Sequence, residues 1–301
     1  MTALRAFAPG KVNLALYLGE RRQDGLHELV SLVQAVSLGD TLTLEHAPAG
    51  AGGDEVVCPG VDGENLAARA LAAYREATGW DAPPVRVTIS KRVPVAAGMG
   101  GGSSDAAAAL RLAAHAAGRP DDPAVTEIAP ALGSDVPALV SPGLALVAGA
   151  GERVERVPQF EPYWLIVVPL DTRLATGDVF AEADRLGSSR SAAELVAHHA
   201  ALARAATGGR LSPDLVHNDL EAAARSLCPE IDATLDDLRA AGAARAFVSG
   251  SGPTAIGLFY DSDEQVGRDL ERLQRRHPGS VGAKPVGTEA LQIRSGLPGE
   301  W

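Results

Sequence analysis

The stretch Pro94-Val95-Ala96-Ala97-Gly98-Met99-Gly100-Gly101-Gly102-Ser103-Ser104-Asp105 carries the strongest chemical signal in the chain. Four glycines within five positions allow positive φ and let a ligand approach the main chain without meeting a Cβ atom. Two serines then open an alanine-rich helix, whose free N–H groups and positive dipole end suit phosphate. Glycines and helix start together predict an anion-binding concavity; the plainer alternative is a tight strand-to-helix connection that binds nothing. The G-x-x-x-x-G-K-[ST] phosphate loop is excluded, because its lysine is missing. A dinucleotide fingerprint fits poorly, since Ser103 occupies the third glycine position and PVAA separates the loop from the preceding strand.

Three more segments hold reactive residue types. In Ala8-Pro9-Gly10-Lys11-Val12-Asn13-Leu14, an ammonium inside an apolar strand is costly unless it meets an anion. The alternative is an edge lysine whose stem snorkels to water. In Leu132-Gly133-Ser134-Asp135-Val136-Pro137, Asp135 reads either as a helix N-cap or as a reactive carboxylate. Val248-Ser249-Gly250-Ser251-Gly252-Pro253-Thr254-Ala255 reads as a strand entering a glycine turn, either a plain hairpin or a ligand wall. His115, His198 and His199 lack metal-ligand spacing with a third partner and are expected at the surface.

Taken in order, A-P-G-K-V-N-L, P-x-x-x-G-M-G-G-G-S-S-D-A-A and S-G-S-G-P-T-A resemble the three motifs of the GHMP kinase superfamily, over about residues 5–290. Arg22-Gln23-Asp24-Gly25-Leu26-His27-Glu28-Leu29, Glu64-Asn65-Leu66 and Gly133-Ser134-Asp135-Val136-Pro137 are similar to the branch acting on 4-diphosphocytidyl-2-C-methyl-D-erythritol. Asn218-Asp219-Leu220-Glu221 is similar to a stretch that opens a C-terminal helix in that branch. The resemblance implies an α+β, two-domain GHMP kinase fold with the active site in the interdomain cleft. It implies ATP-dependent phosphorylation of the 2-hydroxyl of that acceptor, in non-mevalonate isoprenoid biosynthesis. Lys11 and Asp135 match the catalytic lysine and aspartate, and residues 94–104 match the loop around the ATP phosphates. Asn65 and Lys91 match positions near the adenine. Asn13, Leu26, His27, Phe180, Gly250, Ser251 and Gly252 fall on the acceptor side, and Ser103 or Ser104 could reach Mg²⁺. Leu26 stands where the branch commonly has tyrosine, which exchanges ring stacking on cytosine for dispersion contact. Another acceptor alcohol (homoserine, mevalonate or a sugar) is the nearest alternative, opposed by the D-G-L-H-E-L frame. A non-catalytic nucleotide-binding module is the other, opposed by the presence of both Lys11 and Asp135.

Phosphoryl transfer asks mainly for positioning and charge neutralisation. Asp135 would accept or orient the proton of the attacking hydroxyl, and Lys11 would stabilise charge on the moving group.

Several elements must position these residues. Strands are expected around Pro9-Gly10 and over 40–45, 85–89, 144–148 and 164–169. Helices are expected over 65–78, from 103 to about 118, over 122–133, 191–206, 229–241 and 263–277. A strand-turn-strand unit spans 246–259, and the last dozen residues read as a loosely held tail. Irregular mixing of strands and helices favours α+β over a doubly wound sheet. Two prolines in 157–162 suggest a boundary, giving domains 1–157 and 158–301. With 46% hydrophobic and 22% charged residues, the 301-residue chain has an ordinary globular composition. A net charge of −11 and few aromatics (three Trp, four Tyr, five Phe) argue against nucleic acid or an anionic membrane as partner. A small-molecule substrate and a monomer or homodimer are expected instead. Cys58 and Cys228 form neither a disulfide framework nor a metal pattern, and no apolar leader opens the chain, so the cytoplasm is the expected compartment.

Overall fold

Strands β1 (Leu4–Arg21) and β2 (His27–His46) pair antiparallel into the long hairpin on which the first sheet is built. The computed structural model describes residues 2–61, 63–95 and 97–296. Beside β2 run β4 (Val85–Ser90) and then β3 (Glu55–Val57). The other end of β2 pairs with β5 (Leu144–Gly149), which carries β6 (Arg153–Arg156). Two short strands from late in the chain complete this sheet. β8 (His217–Asn218) lies parallel to β1 and β12 (Arg294–Ser295) antiparallel to it.

The residues around Pro9-Gly10, readable from sequence as one or two strands, form one continuous strand with a register shift at that point. Proline has no N–H to give to the ladder, and the pairing with β2 slips between Pro9 and Lys11. The Lys11 N–H leaves the sheet and donates to Met99 O in the glycine loop at 2.9 Å. The first half of β2, unforeseen from sequence, is buried from Val30 to Val36, so it shows no period-two alternation.

Helices α1 (Leu66–Thr78), α2 (Gly101–Ala116), α3 (Ala124–Leu132) and α4 (Val136–Val140) form one layer against this sheet. Ala106 to Ala114 of α2 are buried with Leu42, Leu44, Val87 and Ile89, and each fully buried Leu or Ile contributes roughly 2 kcal/mol. Asn65 caps α1, its Oδ1 accepting the Ala67 N–H at 2.9 Å, and Gly79 ends it with φ 65°. Two bonds from α2 to β1 carbonyls fix the helix on the sheet: Ser104 Oγ to Pro9 O (2.7 Å) and Arg111 Nη2 to Phe7 O (2.9 Å).

The second sheet is antiparallel, in the order β11 (Val281–Ala283), β7 (Trp164–Val168), β10 (Ala255–Phe259), β9 (Arg245–Val248). One apolar cluster joins the two sheets, with Val12, Leu14 and Leu32 from the first and Leu165, Phe247 and Ile256 from the second. The far face of the second sheet packs on α5 (Thr176–Leu186), α7 (Glu221–Leu227), α8 (Glu230–Ala240) and α9 (Asp263–Gln274). α6 (Ala192–Ala205), closed by a Ser191–Glu194 capping box, lies against the first sheet. The architecture is the expected α+β. Within the expected tail, Ser295 pairs with Leu4 and Arg294 with Arg5, and residues 297–301 lie outside the described residues. Among the described residues, no helix is long and apolar enough to cross a membrane.

Candidate active site

A cleft of about 550 Å³ opens where the glycine loop, the Gly250 turn and the start of α5 meet. Lys11 lies at its base, only 5% exposed, which rules out the snorkelling alternative. Its Nζ donates to Asn13 Oδ1 at 2.7 Å and stands 3.5 Å from Asp135 Oδ2. Asn13 is oriented in turn, because its Nδ2 donates to Ser31 Oγ (2.8 Å) and Ser31 Oγ donates to Ala15 O (2.6 Å). Asp135 precedes α4 but makes no capping bond, and its side chain is 39% exposed toward the cleft. The carboxylate is therefore free for a ligand instead of being spent on the helix end.

The glycine loop closes over this pair. Gly100, with φ 65°, would place a Cβ 3.0 Å from Lys11 Cγ and 3.5 Å from Asp135 Oδ2. Any side chain there would displace the lysine. α2 begins at Gly101, two residues earlier than expected, so Ser103 and Ser104 belong to its first turn. Pro94, Val95, Ala97, Gly98, Met99, Gly100, Gly101, Gly102 and Ser103 all line the cleft. Ala96 lies outside the described residues. Ser104 does not line it: its hydroxyl faces the sheet, fully buried, and is committed to Pro9 O. That corrects the expectation for Ser104 and leaves Ser103.

At the far end of the cleft, Asn65 and Lys91 share a wall with Val61, Leu66 and Cys58. Lys91 is already paired, its Nζ lying 2.5 Å from Asp40 Oδ2 and 2.9 Å from Asp105 Oδ2. Burial tends to lower its pKa, but the two carboxylates outweigh that and raise it. Burial pushes the Asp105 carboxyl up to about 7, against the pull of Lys91 and with the repulsion of Asp40. Asp105 Oδ1 has no hydrogen-bond partner among the described residues. Asp40 and Asp105 went unassigned in the sequence. Asp40 lies 51 residues from Lys91, and only the β2–β4 pairing brings them together.

Of the residues expected on the acceptor side, Asn13, Phe180, Gly250 and Ser251 line the cleft, together with Thr176. His27 and Leu26 do not. His27 is buried, its Nε2 2.8 Å from Asp184 Oδ1 and its ring 5.2 Å from that of Phe180. Leu26 points to solvent, 53% exposed, with its N–H bonded to Asp24 Oδ1. Gly252 also departs from expectation, since the space beside its Cα is filled by Val248 Cγ1 and Ala224 Cβ. The two glycine turns touch: a Cβ on Gly98 would fall 2.4 Å from Ser249 O.

Two family models match this chain, GHMP kinases N terminal domain over residues 65–143 and GHMP kinases C terminal over 192–278. A curated 4-diphosphocytidyl-2-C-methyl-D-erythritol kinase of Anaeromyxobacter dehalogenans is 40% identical, covering 93% of this chain and 88% of that protein. The chain belongs to the GHMP kinase family. A relative of the same name from Streptomyces coelicolor is 42% identical over 89% of this chain and 90% of its own length. A crystal structure of 4-(cytidine 5'-diphospho)-2C-methyl-D-erythritol kinase superposes with a TM-score of 0.75 at 32% identity, covering 94% of this GHMP kinase and 99% of that chain. A homoserine kinase from Cytophaga hutchinsonii, 17% identical with a TM-score of 0.66, shares the fold. The N-terminal match takes in Lys91, the glycine loop and Asp135, and the C-terminal match takes in the Gly250 turn.

Proposed function

We propose that this GHMP kinase transfers the γ-phosphoryl group of ATP to the 2-hydroxyl of 4-diphosphocytidyl-2-C-methyl-D-erythritol, a step of non-mevalonate isoprenoid biosynthesis. The observation that carries the reading is the Lys11–Asp135 pair at 3.5 Å, closed over by Gly100 at the start of α2. The acceptor is supported by the curated names of relatives about 40% identical over most of both chains. In this reading the triphosphate lies along residues 97–103, where main-chain N–H groups and the α2 dipole face it. The nucleoside end points toward Asn65 and the paired Lys91. The acceptor hydroxyl meets Asp135, which takes its proton as the new O–P bond forms and the bond from phosphorus to the ADP oxygen breaks. Lys11, held by Asn13, stabilises the negative charge on the transferring group. Phe180, with His27 packed behind it, forms the wall for the cytidyl group.

Mg²⁺ is the implied metal. Among the described residues there is no cluster of three His, Cys, Asp or Glu side chains that could hold one. The Ser103 hydroxyl at the cleft is one oxygen donor of the kind Mg²⁺ accepts beside phosphate oxygens and water, and it is the side chain we assign to the ion. Ser103 would hold the ion, which would neutralise charge on the triphosphate. Residues 1–157 and 158–301 form the two domains in this reading, with β8 and β12 returning to the first sheet. We place the enzyme in the cytoplasm as a monomer or homodimer, in keeping with its two free cysteines.

A coupled ADP-release assay tests the reading on the diphosphocytidyl acceptor, homoserine and mevalonate in parallel. Turnover with the first and background with the others is expected. Preference for homoserine or mevalonate would replace the acceptor but keep the transfer chemistry.

A further inference from the structure

The Asn218-Asp219-Leu220-Glu221 segment takes no part in the chemistry above, yet its hydrogen bonds converge on the second glycine turn. β8 places His217 and Asn218 beside Ala15 and Leu16, on the same strand that carries Lys11 and Asn13. Asn218 is buried, and its Nδ2 donates to two main-chain carbonyls, Val248 O at 2.9 Å and Gly250 O at 2.8 Å. Its Oδ1 accepts the Leu220 N–H at 3.0 Å. Only an amide of this size meets two acceptors and one donor at once; a carboxylate would oppose both carbonyls. Glu221 Oε2 accepts the Val248 N–H at 3.0 Å. Asp219 grips the first sheet, accepting from Leu18 N (2.9 Å) and from Arg190 Nε (2.6 Å) and Nη2 (2.7 Å). The segment is a bracket with one end on β1 and the other on the turn.

The turn it holds touches three parts of the site. Gly250 stands where a Cβ would come 3.4 Å from Lys11 Nζ and 3.0 Å from Asn13 Oδ1. Ser249 O packs against Gly98 of the nucleotide loop. Ser251 Oγ lies 3.3 Å from Thr176 Oγ1 on the acceptor wall.

We propose that Asn218 is a positioning residue for phosphoryl transfer: it touches neither substrate and acts through the Gly250 turn, which it holds against Lys11 and Asn13. The inference rests on the reading that Lys11 and Asp135 carry the transfer. It predicts a loss in the chemical step, because a reacting group displaced by about 1 Å can lose roughly a hundredfold in rate.

The test uses the full chain as wild type, Asn218→Ala, Asn218→Asp, Gly250→Ala and the Asn218→Ala/Gly250→Ala double variant. Steady-state kinetics are measured with ATP and with the diphosphocytidyl acceptor, alongside ATP affinity and stoichiometry by calorimetry. Asn218→Ala is expected to lower kcat by about ten- to a hundredfold while ATP binds at full stoichiometry and within about threefold of its normal affinity. Asn218→Asp should lose at least as much, and the double variant little more than the worse single variant, because both act on one turn. Unchanged kcat in Asn218→Ala or Gly250→Ala overturns the proposal. So does a loss matched by missing ATP sites, or losses that multiply in the double variant. A wild type inactive on this acceptor but active on another leaves the comparison to be made with that other alcohol, where the same outcomes decide it. A wild type inactive on every alcohol overturns both readings together.

Discussion

At the residue scale, the Lys11 ammonium makes its shortest bond to Asn13 (2.7 Å) and stays 3.5 Å from Asp135, so the carboxylate keeps acceptor capacity for an incoming hydroxyl. The closeness of Gly100 makes this arrangement sensitive. Gly100→Ala would bear a left-handed backbone cost of about 1 kcal/mol and push a methyl into the Lys11 stem. Steady-state kinetics should show kcat reduced about tenfold or more, with a smaller change in ATP affinity; normal turnover would mean that the loop does not constrain Lys11. Leu26, exposed beside the His27–Phe180 pair, offers the opposite experiment. Because Leu26 lies outside the cleft and points to solvent, Leu26→Tyr should leave the acceptor KM within about twofold, and a KM lower by about three- to tenfold, the worth of one aromatic contact, would show that position 26 faces the base. The glycine loop was legible because a plain turn rarely needs so many glycines, whereas Lys11 and Asp135 alone read as readily as an edge lysine and a helix N-cap and were singled out by the order of the three motifs. Ser31, Asp40 and Asn218 were not read as site residues, because each takes its place only through strand pairing or a distant turn.

At the element scale, α1 could be read almost to the residue, because Asn65 and Gly79 mark its ends in the sequence itself. The first half of β2 lacked alternation because it is buried on both faces, and α5 follows Ala175, which offers no capping side chain. The connection of β8 to β1 has a pH signature. Burial would raise the Asp219 pKa, but bonds from His217, Arg190 and the Leu18 N–H outweigh it and hold the carboxyl at about 2, below its usual 3.8. The folded value is depressed, so the contribution is complete above the unfolded value and fades as pH falls toward the folded one. That difference corresponds to about 2 kcal/mol. Urea denaturation should therefore find Asp219→Asn less stable by about that much at neutral pH, with the gap to wild type narrowing as pH falls from about 4 toward 2. A gap independent of pH would mean that the carboxylate charge is not what holds the bracket.

At the scale of the whole molecule, the irregular order of strands and helices already pointed to α+β. The shared apolar cluster of the two sheets and the late return of β8 and β12 to the first sheet follow from pairings between distant segments that no local pattern announces. That construction lets the first sheet supply Lys11, Asn13 and the glycine loop, while the turn before β10 closes the cleft from the second. Phosphoryl transfer in that cleft depends on Asp135 managing the acceptor proton. The most direct test measures ATP-dependent ADP release on the diphosphocytidyl acceptor by Asp135→Asn, together with ATP binding by calorimetry. Turnover lower by about a hundredfold or more, with ATP still bound at near-normal affinity, is the predicted result; wild-type turnover in that variant would contradict it.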